Sequence, residues 1–220
     1  MRFKPGDTLL FIGDSITDCG RTNHLPPFGG GYMNMFRNMI LTEYPDLKLS
    51  FVNKGISGNT LKGLELRWKK DVLNESTRVR DKRVREEHKV THLFLMIGIN
   101  DAAMQLKSSR PDDDVLDEFE LTYEKLLRAS LEKDMKIHCM TPFYISTDAS
   151  SSLFKMNLRY IERIEGVCAR LELPLLNIHN LFQEKLRKSM AEYWSGDGVH
   201  PYEHGHMLIA RELFREIIND

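Results

Sequence analysis

Short apolar runs alternate with longer segments that mix apolar and polar positions along the whole chain. Five of the runs have the length and composition of β-strands, and several are continuously apolar, as is typical of parallel strands buried on both faces. The five predicted strands are Thr8–Ile12, Leu49–Asn53, His92–Ile97, Lys136–Met140 and Leu173–Ile178.

The longer segments carry apolar residues at three- and four-residue spacing, which predicts amphipathic helices. The clearest examples are Asp114–Lys133 and about Glu203–Ile218. Strands that alternate with helices predict an α/β fold, in which helices cover both faces of a parallel sheet. Because ligands of such sheets bind beyond the carboxyl ends of the strands, we expect the functional site there.

The chain has 220 residues and shows no internal repeat and no Pro/Gly/Ser-rich linker, so we predict one domain over residues 1–220. Its 31 Lys and Arg residues balance 32 Asp and Glu residues and give a net charge of −1. This balance argues against a nucleic-acid partner, which a basic excess would favour. No apolar run approaches the roughly 18–20 residues that span a bilayer, so we expect no membrane partner.

The three cysteines are Cys19, Cys139 and Cys168, an odd number without the spacing of metal ligands. A reduced compartment suits such a set best. The apolar stretch 9–12 near the N-terminus is also too short for the core of a signal peptide. We therefore expect a soluble, cytoplasmic protein.

One segment, from Lys62 to Lys89, is crowded with Lys and Arg and includes a basic stretch at Arg78–Lys89. Two interpretations are open: a patch that binds a polyanion, or a solvated surface of mixed-sign pairs. The acidic residues interleaved along the segment favour the second interpretation.

Small and polar residues follow three of the predicted strands and recur near the C-terminus. The segments are Gly-Asp-Ser at 13–15, Asn-Lys-Gly-Ile-Ser-Gly-Asn-Thr at 53–60, Gly-Ile-Asn-Asp at 98–101 and Ser-Gly-Asp-Gly-Val-His-Pro at 195–201. Taken singly, each is typical of a turn, a loop or a helix N-cap. Because parallel strands end at the same edge of a sheet, the first three segments should gather in one place.

Together the four segments supply the parts of an acyl-transfer site. Ser15 lies at a strand-to-helix turn and is the candidate nucleophile, with His200 as the base that a hydroxyl nucleophile needs. Asp197 is placed to orient the imidazole and to stabilise the imidazolium. The candidate oxyanion donors are the backbone N–H groups of Ser15 and Gly58 and the side-chain amide of Asn100. At Gly58, the lack of a Cβ is expected to permit a close approach.

In order along the chain, these segments resemble the four sequence blocks of the SGNH (GDSL-type) hydrolases. The resemblance implies a flavodoxin-like three-layer α/β/α sandwich with about five parallel strands. It also implies Ser15 as nucleophile, Gly58 and Asn100 as oxyanion donors, and Asp197 with His200 as the remainder of a Ser-His-Asp triad. The Gly-x-Ser-x-Gly elbow of the α/β-hydrolases is absent around Ser15.

Residues 9–21, 52–60, 67–68 and 140–145 narrow the resemblance to the intracellular acetylxylan esterases. That branch removes acetyl groups from xylo-oligosaccharides and forms ring-like homo-oligomers, which implies a small-molecule or oligosaccharide ester as substrate, self-association and no cofactor. The sequence departs from the branch in two places. Ala102-Ala103 stands where a bulky aromatic residue is common, and the basic stretch Arg78–Lys89 is longer than usual.

The small side chains after Asn100 predict that the acyl group is short, chiefly acetyl. Two alternatives remain open. A lysophospholipase or thioesterase would use the same chemistry on a longer acyl group, and a non-catalytic binding protein would keep the fold around an idle site.

His200, His204 and His206, with Glu203, have a spacing that also suits a divalent metal. No Cys and no second acidic cluster completes such a site, so we expect no metal. His204 and His206 are expected to contact solvent or a neighbouring loop. Cys19, although near Ser15, is expected to be an inert thiol because only Arg21 adjoins it as a basic residue.

Overall fold

A five-stranded parallel sheet forms the centre of this computed structural model, which describes residues 3–74 and 89–218. Its strands are β1 (Thr8–Gly13), β2 (Ser50–Asn53), β3 (His92–Met96), β4 (Lys136–Met140) and β5 (Leu175–Leu176). Their order across the sheet is β2-β1-β3-β4-β5, and every neighbouring pair is parallel. The five predicted strands are thus confirmed, although β5 is shorter than expected.

Nine α-helices lie in the described part of the chain. They are α1 (Ser15–Asp18), α2 (Tyr32–Glu43), α3 (Leu61–Asp71), α4 (Ile99–Gln105), α5 (Asp112–Leu131), α6 (Ser152–Arg170), α7 (Ile178–Leu186), α8 (Ala191–Trp194) and α9 (Glu203–Ile218), with a 3₁₀ turn at Pro45–Leu47. The two helices predicted from apolar spacing are α5 and α9, and both are confirmed. Helix α5 begins two residues before the predicted start. Pro111 occupies its N-cap position, and the first turn contains three aspartates, whose negative charge is favourable at a helix N-terminus.

Alternate residues of β1 enter two separate cores, as the two-residue period of a strand requires. Leu10 and Ile12 pack with α3, α5 and α6 on one face of the sheet. Leu9 and Phe11 pack with α2, α7 and α9 on the other face. The expected three-layer α/β/α sandwich is therefore confirmed, and its strand order is the flavodoxin-like one.

The strand order also fixes where a ligand can enter. Strand β1 pairs with β2 on one side and with β3 on the other, so the chain reverses its direction of winding between β1 and β3. A crevice opens at such a switch point, outside the carboxyl ends of the two strands. Ser15 follows β1 and Asn100 follows β3, so both lie at this crevice.

Most of the basic stretch Arg78–Lys89 lies outside the described residues. In the described part of the charged segment, Glu65 pairs with Lys62 at 2.7 Å and with Lys125 at 2.9 Å, so opposite charges alternate on this surface. Over residues 3–74 and 89–218, no helix is long and apolar enough to cross a membrane.

Candidate active site

Ser15 is the first residue of α1, and the single residue Asp14 separates it from the end of β1. The Asp14 carboxylate caps the helix by accepting a hydrogen bond from the Ile16 N–H at 3.0 Å. A Cβ on Gly13 would lie 2.3 Å from the Met96 carbonyl oxygen, so the ends of β1 and β3 can approach this closely only with glycine here. The turn thus presents the Ser15 hydroxyl at the crevice between the two strands.

The loop between α8 and α9 brings two further side chains to Ser15. His200 Nε2 lies 2.8 Å from Ser15 Oγ, and His200 Nδ1 lies 2.7 Å from Asp197 Oδ2. The structure therefore joins the three residues predicted from distant parts of the sequence into one hydrogen-bonded chain. Both the histidine and the aspartate side chain are 55% exposed, so the chain of bonds is open to a ligand from solvent.

The carboxylate of Asp197 accepts several hydrogen bonds in addition to that of the imidazole. Its Oδ1 lies 2.8 Å from each of the backbone nitrogens of Val199 and His200. Burial by itself would raise the pKa of Asp197, but the hydrogen bonds from the His200 ring and from these N–H groups outweigh it and lower the pKa. The carboxylate is therefore ionised at neutral pH and can stabilise a positive charge on His200.

Ser195 supports this loop and was not predicted as a site residue. Its hydroxyl lies 3.0 Å from Asp197 Oδ1 and 2.8 Å from the His200 carbonyl oxygen, and it accepts a hydrogen bond from the Gly198 N–H at 2.9 Å. The side chain is only 3% exposed. A serine two residues before an aspartate is a common local turn feature, and that is the only signal that the sequence carried.

Of the three expected oxyanion donors, Gly58 lies in the loop after β2 and Asn100 lies in the first turn of α4. Asn100 Nδ2 donates to the Asn59 carbonyl at 2.9 Å, which places the amide beside the loop that contains Gly58. Gly58 has a φ of +77°, and a Cβ built on it would meet nothing within 4 Å. Its positive φ favours glycine, and the protein atoms around it leave room for a Cβ, so the backbone conformation is the reason for glycine that the structure shows. The close approach of a substrate oxygen to Gly58 stays a prediction.

The Gly58 loop is also fastened to α1. Ser57 Oγ donates to Asp18 Oδ2 at 3.0 Å, and the guanidinium of Arg21 donates to the Gly55 carbonyl. The Ile56 N–H donates to the Gly13 carbonyl at 3.2 Å. These contacts hold the loop that follows β2 against the turn that carries Ser15.

Two buried carboxyl groups, Asp14 and Asp101, flank these loops. Burial raises the pKa of Asp14 to about 6, and it raises that of Asp101 to about 7. Asp101 accepts a hydrogen bond from the Leu61 N–H at 3.0 Å and so fixes the start of α3 against α4. Neither carboxyl was predicted as a site residue.

The histidines considered as metal ligands have other contacts. His206 is buried, accepts a hydrogen bond from the Tyr32 N–H at 3.2 Å and lies 3.6 Å from Cys19 Sγ. Burial, followed by the nearby His200, lowers its pKa to about 4. His204 is exposed and bonds the Tyr193 carbonyl. In the part of the chain that the structure describes, no group of three or more His, Cys, Asp or Glu residues could hold a metal ion.

Cys19 follows α1 in a left-handed conformation. Because Tyr32 donates to Nδ1 of His206, the ring's proton is on Nε2, so the imidazole faces the sulfur as a donor and is not placed to remove its proton. Burial raises the pKa of the Cys19 thiol. These surroundings are those of a packed thiol and do not suit a nucleophile.

Known proteins that are similar to this chain are ester hydrolases. A sequence model of the GDSL-like Lipase/Acylhydrolase family matches residues 11–208. An acetylxylan esterase from Geobacillus stearothermophilus is 33% identical over 224 residues, which cover 99% of this chain and 96% of that protein.

Solved structures are similar over nearly the whole chain. A mutant of an acetyl-xylooligosaccharide esterase from Geobacillus gives a TM-score of 0.85 at 32% identity, with 99% of this chain and 97% of that one covered. An alpha/beta hydrolase from the metagenome of Lake Arreo, Spain, gives a TM-score of 0.82 at 26% identity, with 96% and 94% covered.

Proposed function

The chain belongs to the GDSL-like lipase/acylhydrolase family and is a carboxylic ester hydrolase, and from this premise we propose that it removes short acyl groups, chiefly acetyl, from xylo-oligosaccharides or similar carbohydrates. The proposed catalytic residues are Ser15, His200 and Asp197. The observation that carries the proposal is the continuous hydrogen-bonded chain from Ser15 Oγ through the imidazole to the carboxylate, with distances of 2.8 and 2.7 Å.

In the proposed first step, His200 Nε2 takes the proton of Ser15 as Oγ attacks the ester carbonyl carbon. The imidazolium that forms is stabilised by the ionised Asp197. The negative charge on the carbonyl oxygen is stabilised by the N–H groups of Ser15 and Gly58 and by the amide of Asn100. The alcohol then leaves with the proton from His200, and an acyl group remains on Ser15.

In the second step, His200 removes a proton from a water molecule as that water attacks the acyl-enzyme. The tetrahedral intermediate forms at the same donors, and it collapses to release the carboxylic acid. Ser15 recovers its proton from His200, so the enzyme returns to its starting state. No cofactor takes part in this scheme.

The carbohydrate part of the proposal rests on relatives that are described as acetylxylan and acetyl-xylooligosaccharide esterases. The small residue Ala102 does not support the predicted preference for a short acyl group, because its side chain is packed into the core against the sheet. The preference for acetyl therefore depends on the relatives. Self-association and a cytoplasmic location stay predictions.

The proposal is tested by measuring acetate released from acetylated xylo-oligosaccharides. Ser15→Ala should lower kcat by a factor of the order of 10⁶, because the members of such a triad act as a unit. Ser109→Ala changes an exposed serine outside the proposed site and should leave kcat unchanged. Near-normal turnover by the Ser15→Ala protein would contradict the proposal.

A second candidate function is favoured by one cavity. About 700 Å³ of space lies between α3, α4 and α5, with Leu61, Met104 and Phe119 among its lining residues. Asp101, which follows Asn100 in the chain, also lines it, whereas none of the proposed catalytic or oxyanion residues does. An acetyl group needs far less volume, whereas the long acyl group of a lysophospholipid or thioester could fill it. Measuring kcat/KM on esters of two to twelve acyl carbons separates the two: a steep rise with length would favour the second candidate.

A further inference from the structure

The guanidinium group of Arg67, in α3, contacts three separate segments of the chain around the proposed site, two through backbone carbonyls and one through a side chain. Its Nη1 donates to the Lys54 carbonyl at 2.7 Å, its Nε donates to Asn59 Oδ1 at 2.9 Å, and its Nη2 lies 3.4 Å from the Gly13 carbonyl. The side chain is 14% exposed. One side chain thus joins the end of β1, the end of β2 and the loop that leads into α3.

We propose that Arg67 is a positioning residue, which holds the Gly58 N–H where the oxyanion of the substrate will form. This inference rests on the proposed function, since it concerns the same site. Arg67 contacts none of the proposed reacting groups, so its effect passes through the loops that it holds.

Two of the residues that Arg67 contacts lie close in the chain to the proposed nucleophile and to the proposed donor Gly58. Gly13 lies two residues before the nucleophile Ser15, and Asn59 directly follows Gly58. The backbone carbonyl of Asn59 also accepts the hydrogen bond from Asn100. Arg67 on one side and Asn100 on the other therefore hold Asn59, and they set the orientation of the peptide groups next to it.

The charge of Arg67 is balanced by Asp71, one helical turn later, whose Oδ2 lies 2.8 Å from Nη1. Lys54 Nζ lies 3.4 Å from the other carboxylate oxygen. The planar guanidinium offers several donors in a fixed fork, so it serves Lys54, Asn59 and Asp71 together. A lysine has one flexible ammonium group and cannot reproduce this geometry.

The inference is tested with Arg67→Ala and Arg67→Lys in hydrolysis of p-nitrophenyl acetate. Misplacing an oxyanion donor weakens binding of the transition state and leaves binding of the ester nearly unchanged. We expect kcat to fall about 10- to 100-fold in Arg67→Ala, somewhat less than for loss of a donor itself, with KM changed by less than about twofold. Arg67→Lys should fall in between, and added guanidinium ion should restore part of the activity of Arg67→Ala.

A second measurement reports on the oxyanion geometry itself. A boronic acid that forms a tetrahedral adduct with Ser15 mimics the intermediate, so its affinity should fall by about the same factor as kcat. Asn59→Ala removes only one of the contacts of Arg67, and it should lower both quantities in the same direction by a smaller factor. It also serves if Arg67→Ala does not fold, as judged by circular dichroism.

The matched control is Arg128→Ala. Arg128 is also paired with a carboxylate one helical turn away, with 2.6 Å to Glu124, but its side chain is 57% exposed and lies in α5. The Arg128→Ala substitution should leave kcat and the affinity for the boronic acid unchanged. If wild-type turnover requires Ser15 while the folded Arg67→Lys and Asn59→Ala proteins keep full kcat and boronate affinity, the role of Arg67 is overturned alone. If wild-type turnover does not require Ser15, the proposed function is overturned and the role of Arg67 with it.

Discussion

The side-chain amide of Asn100 carries two N–H bonds, and its contact with the Asn59 carbonyl at 2.9 Å uses one of them. The second can serve the oxyanion, so one amide can link the loop and stabilise the transition state. We predict that Asn100→Ala lowers kcat by about 10²–10³ and leaves KM nearly unchanged, because the lost interaction forms only in the transition state. Steady-state hydrolysis of p-nitrophenyl acetate measures both constants.

Asn38→Ala provides the control for this prediction. Asn38 is an exposed amide on α2 that accepts a hydrogen bond from the neighbouring Arg37. Its removal should not change kcat. A rise in KM for Asn100→Ala at constant kcat would contradict the prediction, since it would mean that the amide already binds the ester in the ground state.

At the scale of single residues, the sequence was informative where chemistry is concentrated in a short segment. Asp197 and His200 stand three residues apart on one loop, so their mutual contact could be predicted from spacing. Ser195 could not, because its role depends on the fold of the same loop around its hydroxyl. The contacts of Arg67 with Gly13 and Lys54 were also out of reach, because the sheet brings those residues together.

At the scale of elements, two glycines allow a matched comparison. Gly58 has φ +77° and Gly6 has φ +83°, and a Cβ on either would meet nothing within 4 Å. We therefore predict that Gly58→Ala and Gly6→Ala each lower the free energy of unfolding by about 1–2 kcal/mol, the cost of a left-handed conformation for an L-residue. Urea denaturation of the two variants measures it.

Activity should separate these two variants. Gly6 precedes β1 at the opposite end of the strand from Ser15, so Gly6→Ala should retain full kcat. Gly58→Ala should lower kcat, because any relaxation of the backbone moves the proposed donor N–H. Equal kcat in the two variants would show that the Gly58 N–H is not used.

The last strand shows where prediction of elements from sequence stops. The apolar run 173–178 predicted a strand over its whole length, whereas β5 covers only Leu175–Leu176. Pro174 has no N–H to give to a sheet, and the side chain of Asn177 accepts from the Asn180 N–H at 2.8 Å as the cap of α7. Both signals were present in the sequence, but apolar composition alone does not separate a short strand from the first turn of a helix.

At the scale of the whole molecule, the alternation of strands and helices was enough to predict the sandwich, and the strand order follows from the family resemblance. Neither predicted which charged groups the assembled layers would bury. Asp14 and Asp101 lie at the carboxyl ends of adjacent strands, where the helices close over them, and the pKa of each carboxyl is raised. Their neighbours Ser15 and Asn100 could be recognised by motif, whereas burial is a property of the assembled fold.

The buried Asp101 makes the stability of the molecule depend on pH. Its pKa is about 7 in the folded protein against an ordinary value of 3.8, so folding favours the protonated form. The contribution of this carboxyl to the free energy of unfolding is therefore fully present below pH 3.8 and is lost as the pH rises through about 7. Above that pH it changes little. Asp14, with a pKa of about 6, acts in the same direction.

Asp101→Asn isolates the contribution of Asp101, because an amide oxygen can still accept the hydrogen bond from the Leu61 N–H but cannot ionise. We predict that the free energy of unfolding of Asp101→Asn, relative to wild type, is more favourable at pH 8 than at pH 5. Urea denaturation of wild type and of Asp101→Asn at pH 5 and at pH 8 gives the four free energies of unfolding that the comparison requires. Asp46→Asn, at an exposed position, should show the same difference at both pH values. A relative stability of Asp101→Asn that is equal at both pH values, or larger at pH 5, would mean that Asp101 is not the group whose proton is lost between them.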